Sequence, residues 1–278
     1  PARYVAVLGA VAIMAWKPPP PPEGCFDAWV LDVGQGLAVA VQAADEILVY
    51  DAGMRWRSGG SAAEQVILPF LAHRGIREVS QLVVSHADLD HSGGAAALLR
   101  QVEVGQVIVG EPLPGIEATP CARGDRWRLG TIAVEVLHPP PYPVYEGNNA
   151  SCVLRIATGS HAMLLTGDVE QRAERELLRS GGRVAADIAI VPHHGSRTSS
   201  SQAFVAAVAP AVAVASAGYA NRWGFPVTTV AERWRAAGAE LLSTADEGAV
   251  YVRVCGDGGI VEQASERRRG RRFWHAGS

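Results

Sequence analysis

The segment 85–94, with the sequence SHADLDHSGG, constrains the fold of this chain more than any other feature. Two histidines and two aspartates lie within six positions, directly after the apolar run 82–84. Such a run predicts a short buried strand, and the two glycines before an alanine- and leucine-rich stretch predict a turn into a helix. The polar side chains therefore belong to a loop at the carboxyl end of a strand, where open α/β sheets place their binding sites.

The side chains of this loop are those that bind transition metals. Imidazole and carboxylate groups together suit zinc, manganese or iron, and a single ion seldom takes four ligands from one loop. The four donors are His86, Asp88, Asp90 and His91. A solvated polar turn is the alternative, but the density of donors favours a metal site.

Further donors follow two later apolar runs. Asp168 lies shortly after the apolar run 162–165, although an aspartate there also suits a turn or a helix N-cap. His193 and His194 follow the run 188–191, and adjacent histidines at a strand end are less easily explained as core packing. Together the three loops offer enough ligands for two metal ions, with a carboxylate such as Asp168 bridging them.

Composition limits the other possibilities. A chain of 278 residues that is 48% hydrophobic suits one large domain or two small ones. Its net charge of −3 excludes a global basic field, so contact with nucleic acid must rely on local patches. The four cysteines are far apart and form no CxxC pair, which argues against a cysteine zinc site and leaves one or two disulfides open.

The first residues predict a membrane connection. The apolar run 4–16 is shorter than the about 20 residues that span a bilayer, so we interpret it as the end of a transmembrane helix. A helix of a soluble protein is the alternative. The prolines 18–22 predict a stiff, extended spacer. The expected divisions are a helix end (1–17), a linker (18–25), a globular domain (26–256) and a basic tail (257–278) that binds lipid or DNA or is simply solvated.

The globular part alternates short apolar runs with polar turns and helical segments. Consecutive strands are expected at 28–33, 37–41 and 47–50, and a second β-rich series begins near 107 and includes 152–157 and 162–165. Two successive β-rich halves with helices outside predict an α+β fold, an αββα sandwich with its site at the seam between the sheets.

Several motifs carry a family resemblance. HxDxDH at 86–91 resembles the metal signature of the metallo-β-lactamase superfamily. LDVGQG at 31–36, YDAG at 50–53, NNAS at 148–151, LTGD at 165–168 and HHGS at 193–196 resemble, within that superfamily, the carboxy-terminal domain of the ComEC family of bacterial DNA-uptake channels. The resemblance covers about residues 26–253 and implies the metallo-β-lactamase αββα fold, preceded by a membrane channel.

The resemblance also implies roles for individual residues. His86 and Asp88 would hold a first metal, Asp90 and His91 a second, and Asp168 would bridge them. Either His193 or His194 would complete a shell, and Asp51 would orient a ligand histidine. The residues expected near the cleft or on phosphate oxygens are Asp32, Gln35, Asn148, Asn149, Ser196 and Thr198.

Some positions depart from the family pattern. Asn148 and Asn149 occupy a region where the superfamily usually has a histidine, and we interpret the preceding His138 as an exposed loop residue. Phe225 replaces a histidine in a Gly-His-Pro motif. Because Asp88 replaces the second signature histidine, the site becomes more anionic and shifts from zinc toward manganese.

The implied function is degradation of the non-imported DNA strand during DNA uptake. Two divalent ions, manganese or zinc, would activate water, with Asp90, Asp168 and His194 as catalytic residues. The expected partners are single-stranded DNA, the membrane through the channel domain, and other DNA-uptake proteins, with the domain on the periplasmic side of the inner membrane. Candidate DNA contacts are Arg55, Trp56, Arg57, Arg126, Trp127, Arg128, Arg197, Arg222 and Trp223. A hydrolase of a lactam, thioester or phosphonate and a non-catalytic module that guides DNA remain alternatives.

Overall fold

Two β-sheets packed face to face, with helices on their outer faces, form the αββα sandwich of this chain. A computed structural model describes residues 18–270. The eight strands of the first sheet are ordered β15-β14-β1-β2-β3-β4-β5-β6. Their bounds are β1 Cys25–Val30, β2 Val39–Ala43, β3 Glu46–Tyr50, β4 Glu78–Val84, β5 Glu103–Val109, β6 Thr119–Pro120, β14 Val250–Cys255 and β15 Gly259–Ser265.

The second sheet has seven strands in the order β13-β12-β11-β10-β9-β8-β7. It is antiparallel from β7 to β10 and parallel from β10 to β13. The strand bounds are β7 Arg126–Leu129, β8 Ile132–His138, β9 Val153–Thr158, β10 His161–Leu165, β11 Ile188–Ile190, β12 Val212–Ala215 and β13 Glu240–Ser243. Both sheets are therefore mixed, as the predicted α+β class allows.

Helices cover the outer face of each sheet. A wide π-helical turn at Ala63–Ile67 leads into helix α1, Leu68–His73. Helix α1 and helix α3, Ala95–Gln101, pack on the first sheet. Helices α4, α5 and α6 cover the second sheet, and the others are single turns. The helix bounds are α1 Leu68–His73, α2 Leu89–Ser92, α3 Ala95–Gln101, α4 Gln171–Arg179, α5 Gln202–Val208, α6 Thr228–Ala236, α7 Thr244–Glu247 and α8 Glu266–Arg269.

The central strands of both sheets are buried on both faces, which explains their nearly continuous apolar sequences. Along β3, Leu48 and Tyr50 enter the core between the sheets, whereas Ile47 and Val49 pack under the helices. Successive strand residues point to opposite faces, so one strand contributes to two cores. Each Å² of apolar surface that is removed from water stabilises the fold by about 25 cal/mol. This double burial is therefore the main stabilising contribution to the sandwich.

Parallel pairing brings the predicted site loops to one edge of the sandwich. Strands β3 and β4 run parallel, and so do β10, β11 and β12. Asp51 follows β3, the segment 85–94 follows β4, Asp168 follows β10, and the two adjacent histidines follow β11. The carboxyl ends of parallel strands meet at the same edge, so the topology itself assembles these loops.

The carboxyl end of the chain differs from the sequence prediction. Strand β15 pairs antiparallel with β14 along its whole length, so the sheet continues beyond residue 256, where a basic tail was expected to begin. The sequence of β15 is weakly apolar because it is an edge strand with one face in solvent. Among residues 18–270, no helix is long and apolar enough to cross a membrane. The helix end expected at 1–17 lies outside the described residues.

All four cysteines are paired. Cys25 bridges to Cys255 across the antiparallel pair β1 and β14, and Cys121 bridges to Cys152. The composition left one or two disulfides open, and the structure has both. The second bridge adjoins the predicted metal loop, because the Cys152 N–H donates to the Ser85 carbonyl over 2.9 Å.

Candidate metal centre

Two overlapping groups of metal-binding side chains lie at the strand-end edge. Nitrogen and oxygen atoms of His86, His91 and Asp168 lie within 4.8 Å of one another, and so do those of Asp90, His91 and His194. His91 Nε2 is 3.2 Å from Asp168 Oδ1 and 3.3 Å from His194 Nε2. Three separate loops therefore contribute to one cluster, as the sequence predicts.

Asp88 lies at the rim of this cluster. Its Oδ2 is 3.5 Å from His86 Nε2, but 62% of the side chain is exposed to solvent. Asp90, by contrast, points inward, with Oδ2 3.3 Å from His194 Nε2. The two aspartates differ because α2 begins directly after Asp88 and turns Asp90 and His91 toward the other loops.

The adjacent histidines of the β11 loop have different surroundings. His194 is buried, its Nδ1–H donates to the Ser216 carbonyl over 2.8 Å, and its Nε2 faces the donor cluster. His193 is partly exposed and lies 3.2 Å from Thr198 Oγ1, with Nε2 3.8 Å from Asp168 Oδ2. Both histidines have positive φ, 51° and 56°, an unusual backbone conformation that concentrates at functional sites.

Two buried polar atoms within the cluster have no hydrogen-bond partner among the described residues. They are His86 Nε2 and Asp168 Oδ1, whose 3.2 Å contact with His91 Nε2 is an ion pair without hydrogen-bond geometry. Buried polar atoms are nearly always satisfied, so this pair indicates a position for a ligand that accepts their lone pairs. Imidazole nitrogens and carboxylate oxygens suit a divalent transition metal. The residues present therefore fit the metal that the sequence predicts.

Asp51 anchors the metal loop from beneath. Its carboxylate accepts the Ser85 N–H at 2.6 Å, the Ser85 hydroxyl at 2.9 Å and the His91 Nδ1–H at 2.7 Å. The last contact fixes the tautomer of His91, which leaves Nε2 free to face the cluster. Asp51 thus joins the backbone of the metal loop to the ring of His91.

The charges of the cluster depend on one another. Burial lowers the pKa of His91, but the carboxylates of Asp168 and Asp51 outweigh it and raise the pKa well above its usual range. Burial raises the pKa of Asp168, yet His194 and His91 hold it well below its usual range. The buried carboxylates thus require nearby positive charge, which a divalent cation also supplies.

Three residues of this region were missed by the sequence analysis. Glu111 accepts the N–H groups of Ala87, at 3.2 Å, and Gly147, at 2.8 Å, and so ties the metal loop to the NNAS segment. The Ser151 hydroxyl accepts the Asp168 N–H at 3.0 Å. Glu170 lies 3.5 Å from His193 Nδ1. Ser151 carried a signal as the last residue of the NNAS motif, and Glu170 carried one because it lies two residues after Asp168, whereas Glu111 carried none.

The two asparagines expected near the cleft contact Glu170. Their amide groups donate to its carboxylate, at 3.5 Å from Asn148 and 3.2 Å from Asn149. Asn149 Oδ1 also accepts the N–H groups of Glu170 and Ala173 at the start of α4. Asn149 therefore caps a helix beside the centre.

The remaining predicted residues lie around the centre at different depths. Gln35 is next to the β12 loop, with Oε1 3.4 Å from the Gly218 N–H, and Leu37 N–H donates to the Asp90 carbonyl. Asp32 instead pairs with Arg267, 3.1 Å away, and belongs to neither donor group. The Ser196 and Thr198 hydroxyls are 3.1 Å apart beside His193.

His138 corrects one sequence interpretation. It ends β8 with none of its surface exposed, whereas the sequence was interpreted as an exposed loop histidine. Its Nε2–H donates to the Asn149 carbonyl over 2.7 Å, and burial lowers its pKa to about 4. The following proline favoured a loop in the sequence, but β8 extends through His138.

Acid should therefore destabilise the chain through His138. The histidine has a pKa of 6.5 in the unfolded chain and about 4 in the folded chain, so between these values only the unfolded chain binds the proton. The folded state is therefore most stable above pH 6.5 and loses stability as the pH falls toward 4. The expected loss is about 3 kcal/mol near pH 4. Urea unfolding in chelator at several pH values, compared with His138→Gln, measures it. Parallel pH profiles for both proteins would contradict the expectation.

The predicted basic contacts do not form one surface with the centre. Arg126, Trp127 and Arg128 line a cleft of about 830 Å³ on the outer face of the second sheet, away from the donor groups. Trp127 packs partly against the core between the sheets. Arg222 and Trp223, by contrast, are joined to the centre through Phe225, whose ring stacks on His194 at a centroid distance of 6.3 Å.

Known proteins resemble the chain in sequence and fold. A model of the metallo-beta-lactamase superfamily matches residues 31–219. The competence protein ComA of Neisseria gonorrhoeae is 38% identical over 94% of this chain and 37% of its own length. Recombination protein 2 of Haemophilus influenzae is 36% identical over 84% of the chain and 29% of its own length. The chain thus spans about a third of these relatives.

Solved structures share the fold at low identity. The metallo-beta-lactamase fold protein YhfI of Bacillus subtilis superimposes with a TM-score of 0.50 and 11% identity, over 81% of this chain and 99% of that one. The CmlA beta-hydroxylase E377D mutant gives a TM-score of 0.52 and 14% identity, over 84% of this chain and 54% of that one. These comparisons confirm the predicted sandwich.

Proposed function

Because the chain belongs to the metallo-β-lactamase superfamily, we propose that it is a metal-dependent phosphodiesterase that cleaves DNA during DNA uptake. Its relatives include competence proteins, which supports a role in DNA uptake. The observation that carries the proposal is the donor cluster, in which His86 Nε2 and Asp168 Oδ1 are buried without hydrogen-bond partners among residues 18–270.

The proposed ligands divide between two positions that share Asp168. His86, with Asp88 at the rim, would hold one cation, and Asp90, His91 and His194 the other. His91 contacts both donor groups, but only its Nε2 is available, because Nδ1 is bonded to Asp51. Manganese or zinc fits these donors, and the aspartate at position 88 favours manganese.

The chemistry of cleavage follows from these positions. A bound divalent cation lowers the pKa of water and neutralises the charge that develops on phosphate. Asp90, with its Oδ2 in the cluster, would accept a hydrogen bond from the attacking water and orient it toward phosphorus. The paired hydroxyls of Ser196 and Thr198 would donate to phosphate oxygens beside His193.

The two disulfides support an extracytoplasmic position. Disulfides persist in oxidising compartments such as the bacterial periplasm and are rare in the cytoplasm. Both bridges in this chain are formed. We therefore propose that the domain lies in the periplasm.

Cleavage of end-labelled single-stranded DNA by the 278-residue chain tests the proposal. We expect manganese-dependent products that disappear in chelator and in Asp90→Ala, but persist in Asp45→Ala, which alters an exposed turn at the far end of β3. Turnover of a β-lactam instead of DNA would indicate a hydrolase of another substrate. Folded, metal-loaded protein that cleaves neither would favour a module that only guides DNA.

A further inference from the structure

A row of rings leads from the candidate metal centre to the surface. The Phe225 ring stacks on His194 at 23°, and the Trp223 ring is nearly parallel to Phe225, with an interplanar angle of 10° and a centroid distance of 6.1 Å. The Arg222 guanidinium lies 4.3 Å from the Trp223 ring centroid. Flat surfaces therefore continue outward from a proposed metal ligand and end beside a positive charge.

The segment that carries these rings is held in a defined conformation. Asn221 accepts the Phe225 N–H at 2.8 Å and donates to the Phe225 carbonyl at 2.8 Å and the Gly218 carbonyl at 3.0 Å. At its far end, Pro226 packs so closely against Gly195, which has φ of +88°, that a β-carbon there would lie 2.4 Å from Pro226. A preformed surface loses little entropy when it binds a ligand.

Exposed apolar side chains concentrate in the loops around the centre. Trp223 exposes 46% of its surface and Tyr219, on the same segment, exposes 78%. Leu89, between the proposed ligands Asp88 and Asp90, exposes 65%. Large exposed apolar side chains around a site indicate a surface that a ligand covers.

We propose that Trp223 and Phe225 form a stacking surface for the nucleobases of single-stranded DNA, next to the phosphate that enters the metal centre. The choice of DNA as ligand rests on the proposed function. Every base has a flat π-face, so stacking holds a strand without sequence preference, and Arg222 adds positive charge for its phosphates. Duplex DNA hides these faces within its own stack, so the surface selects single strands.

Binding without metal separates this surface from catalysis. Fluorescence anisotropy of a labelled oligothymidylate is measured in chelator with the 278-residue chain, and tryptophan fluorescence is followed in the same titration. Trp223→Ala should weaken binding about tenfold, which lies within the range expected for the loss of one base stacked on an aromatic ring. Trp223→Phe should retain binding within a few-fold but lose the fluorescence change. Val261→Ala, an exposed residue on β15, is the control that should change neither.

An abasic oligonucleotide distinguishes stacking from a charge effect or a folding defect. The unaltered chain should bind the abasic strand about tenfold more weakly than oligothymidylate, and Trp223→Ala should bind both strands equally. Equal affinity of the unaltered chain and Trp223→Ala for oligothymidylate, or no binding at all, would overturn the proposal. Trp223-dependent binding to anionic lipid vesicles with none to DNA would also overturn it and indicate a membrane surface.

Failure of this inference and failure of the proposed function have different signatures. Base-dependent binding through Trp223 without any metal-dependent cleavage would leave the stacking surface standing and reject the nuclease. Cleavage that is intact in the unaltered chain, with no effect of Trp223→Ala or of abasic DNA on binding in chelator, would reject the stacking surface alone.

Discussion

Replacing Asp168 with asparagine is expected to reduce metal-dependent cleavage of DNA by roughly 10³-fold. The carboxylate lies between the two donor groups, with Oδ1 3.2 Å from His91 Nε2 and Oδ2 3.4 Å from His194 Nε2. Asparagine keeps the size of the side chain but removes the charge shared by both proposed cations. The variant should therefore also bind fewer equivalents of metal than the unaltered chain.

Metal content and rate are measured on the same preparations of Asp168→Asn. Asp45→Asn serves as the matched control, because it removes an equal charge from an exposed turn. Circular dichroism confirms that the variant remains folded, so a lost activity reports on the centre. Cleavage that survives with full metal content would show that Asp168 does not bridge the cations and would move the proposed site away from the β10 loop.

Most of the candidate ligands predicted at strand ends lie in the donor groups that the topology brings together, whereas Asp88 lies at the rim and His193 belongs to neither group. His86, His91, Asp168 and His194 each follow a short apolar run, and parallel pairing places the ends of those runs at one edge. Local sequence is sufficient there because strand direction and loop position are encoded within a few residues. It could not distinguish the buried His194 from the partly exposed His193, since the orientation of His194 depends on the Ser216 carbonyl, directly after β12.

Residues outside such runs were not predicted from the sequence, because their roles depend on partners that are distant along the chain. Glu111 acts on Ala87 and Gly147, whose N–H groups carry no sequence signal. Strand β15 exists because β14 offers it an open edge, and its own pattern is that of a half-solvated segment. The Cys25–Cys255 pairing likewise depends on the antiparallel pairing of β1 with β14, which brings together two residues 230 positions apart.

Removing the Cys25–Cys255 bridge is expected to lower the free energy of unfolding by about 5 kcal/mol. A disulfide stabilises mainly by restricting the unfolded chain, and the restriction grows with the loop that it closes. This bridge spans 230 residues, whereas Cys121–Cys152 spans 31, for which about 3 to 4 kcal/mol is expected. The native ladder keeps Cys25 opposite Cys255 without the bridge, so the folded state should change little.

The two bridges should differ in the opposite sense at the metal centre. Cys152 donates its N–H to the Ser85 carbonyl and accepts the Tyr50 hydroxyl at 2.7 Å, so loss of its bridge loosens the backbone under His86. Urea unfolding and metal titration are measured for Cys25→Ser/Cys255→Ser and for Cys121→Ser/Cys152→Ser. The first pair should lose more stability, and the second should lose about tenfold more metal affinity. Loop length and proximity to Ser85 predict opposite orders of the two variants for stability and for metal affinity. They are therefore not the causes if the same double variant loses both more stability and more metal affinity.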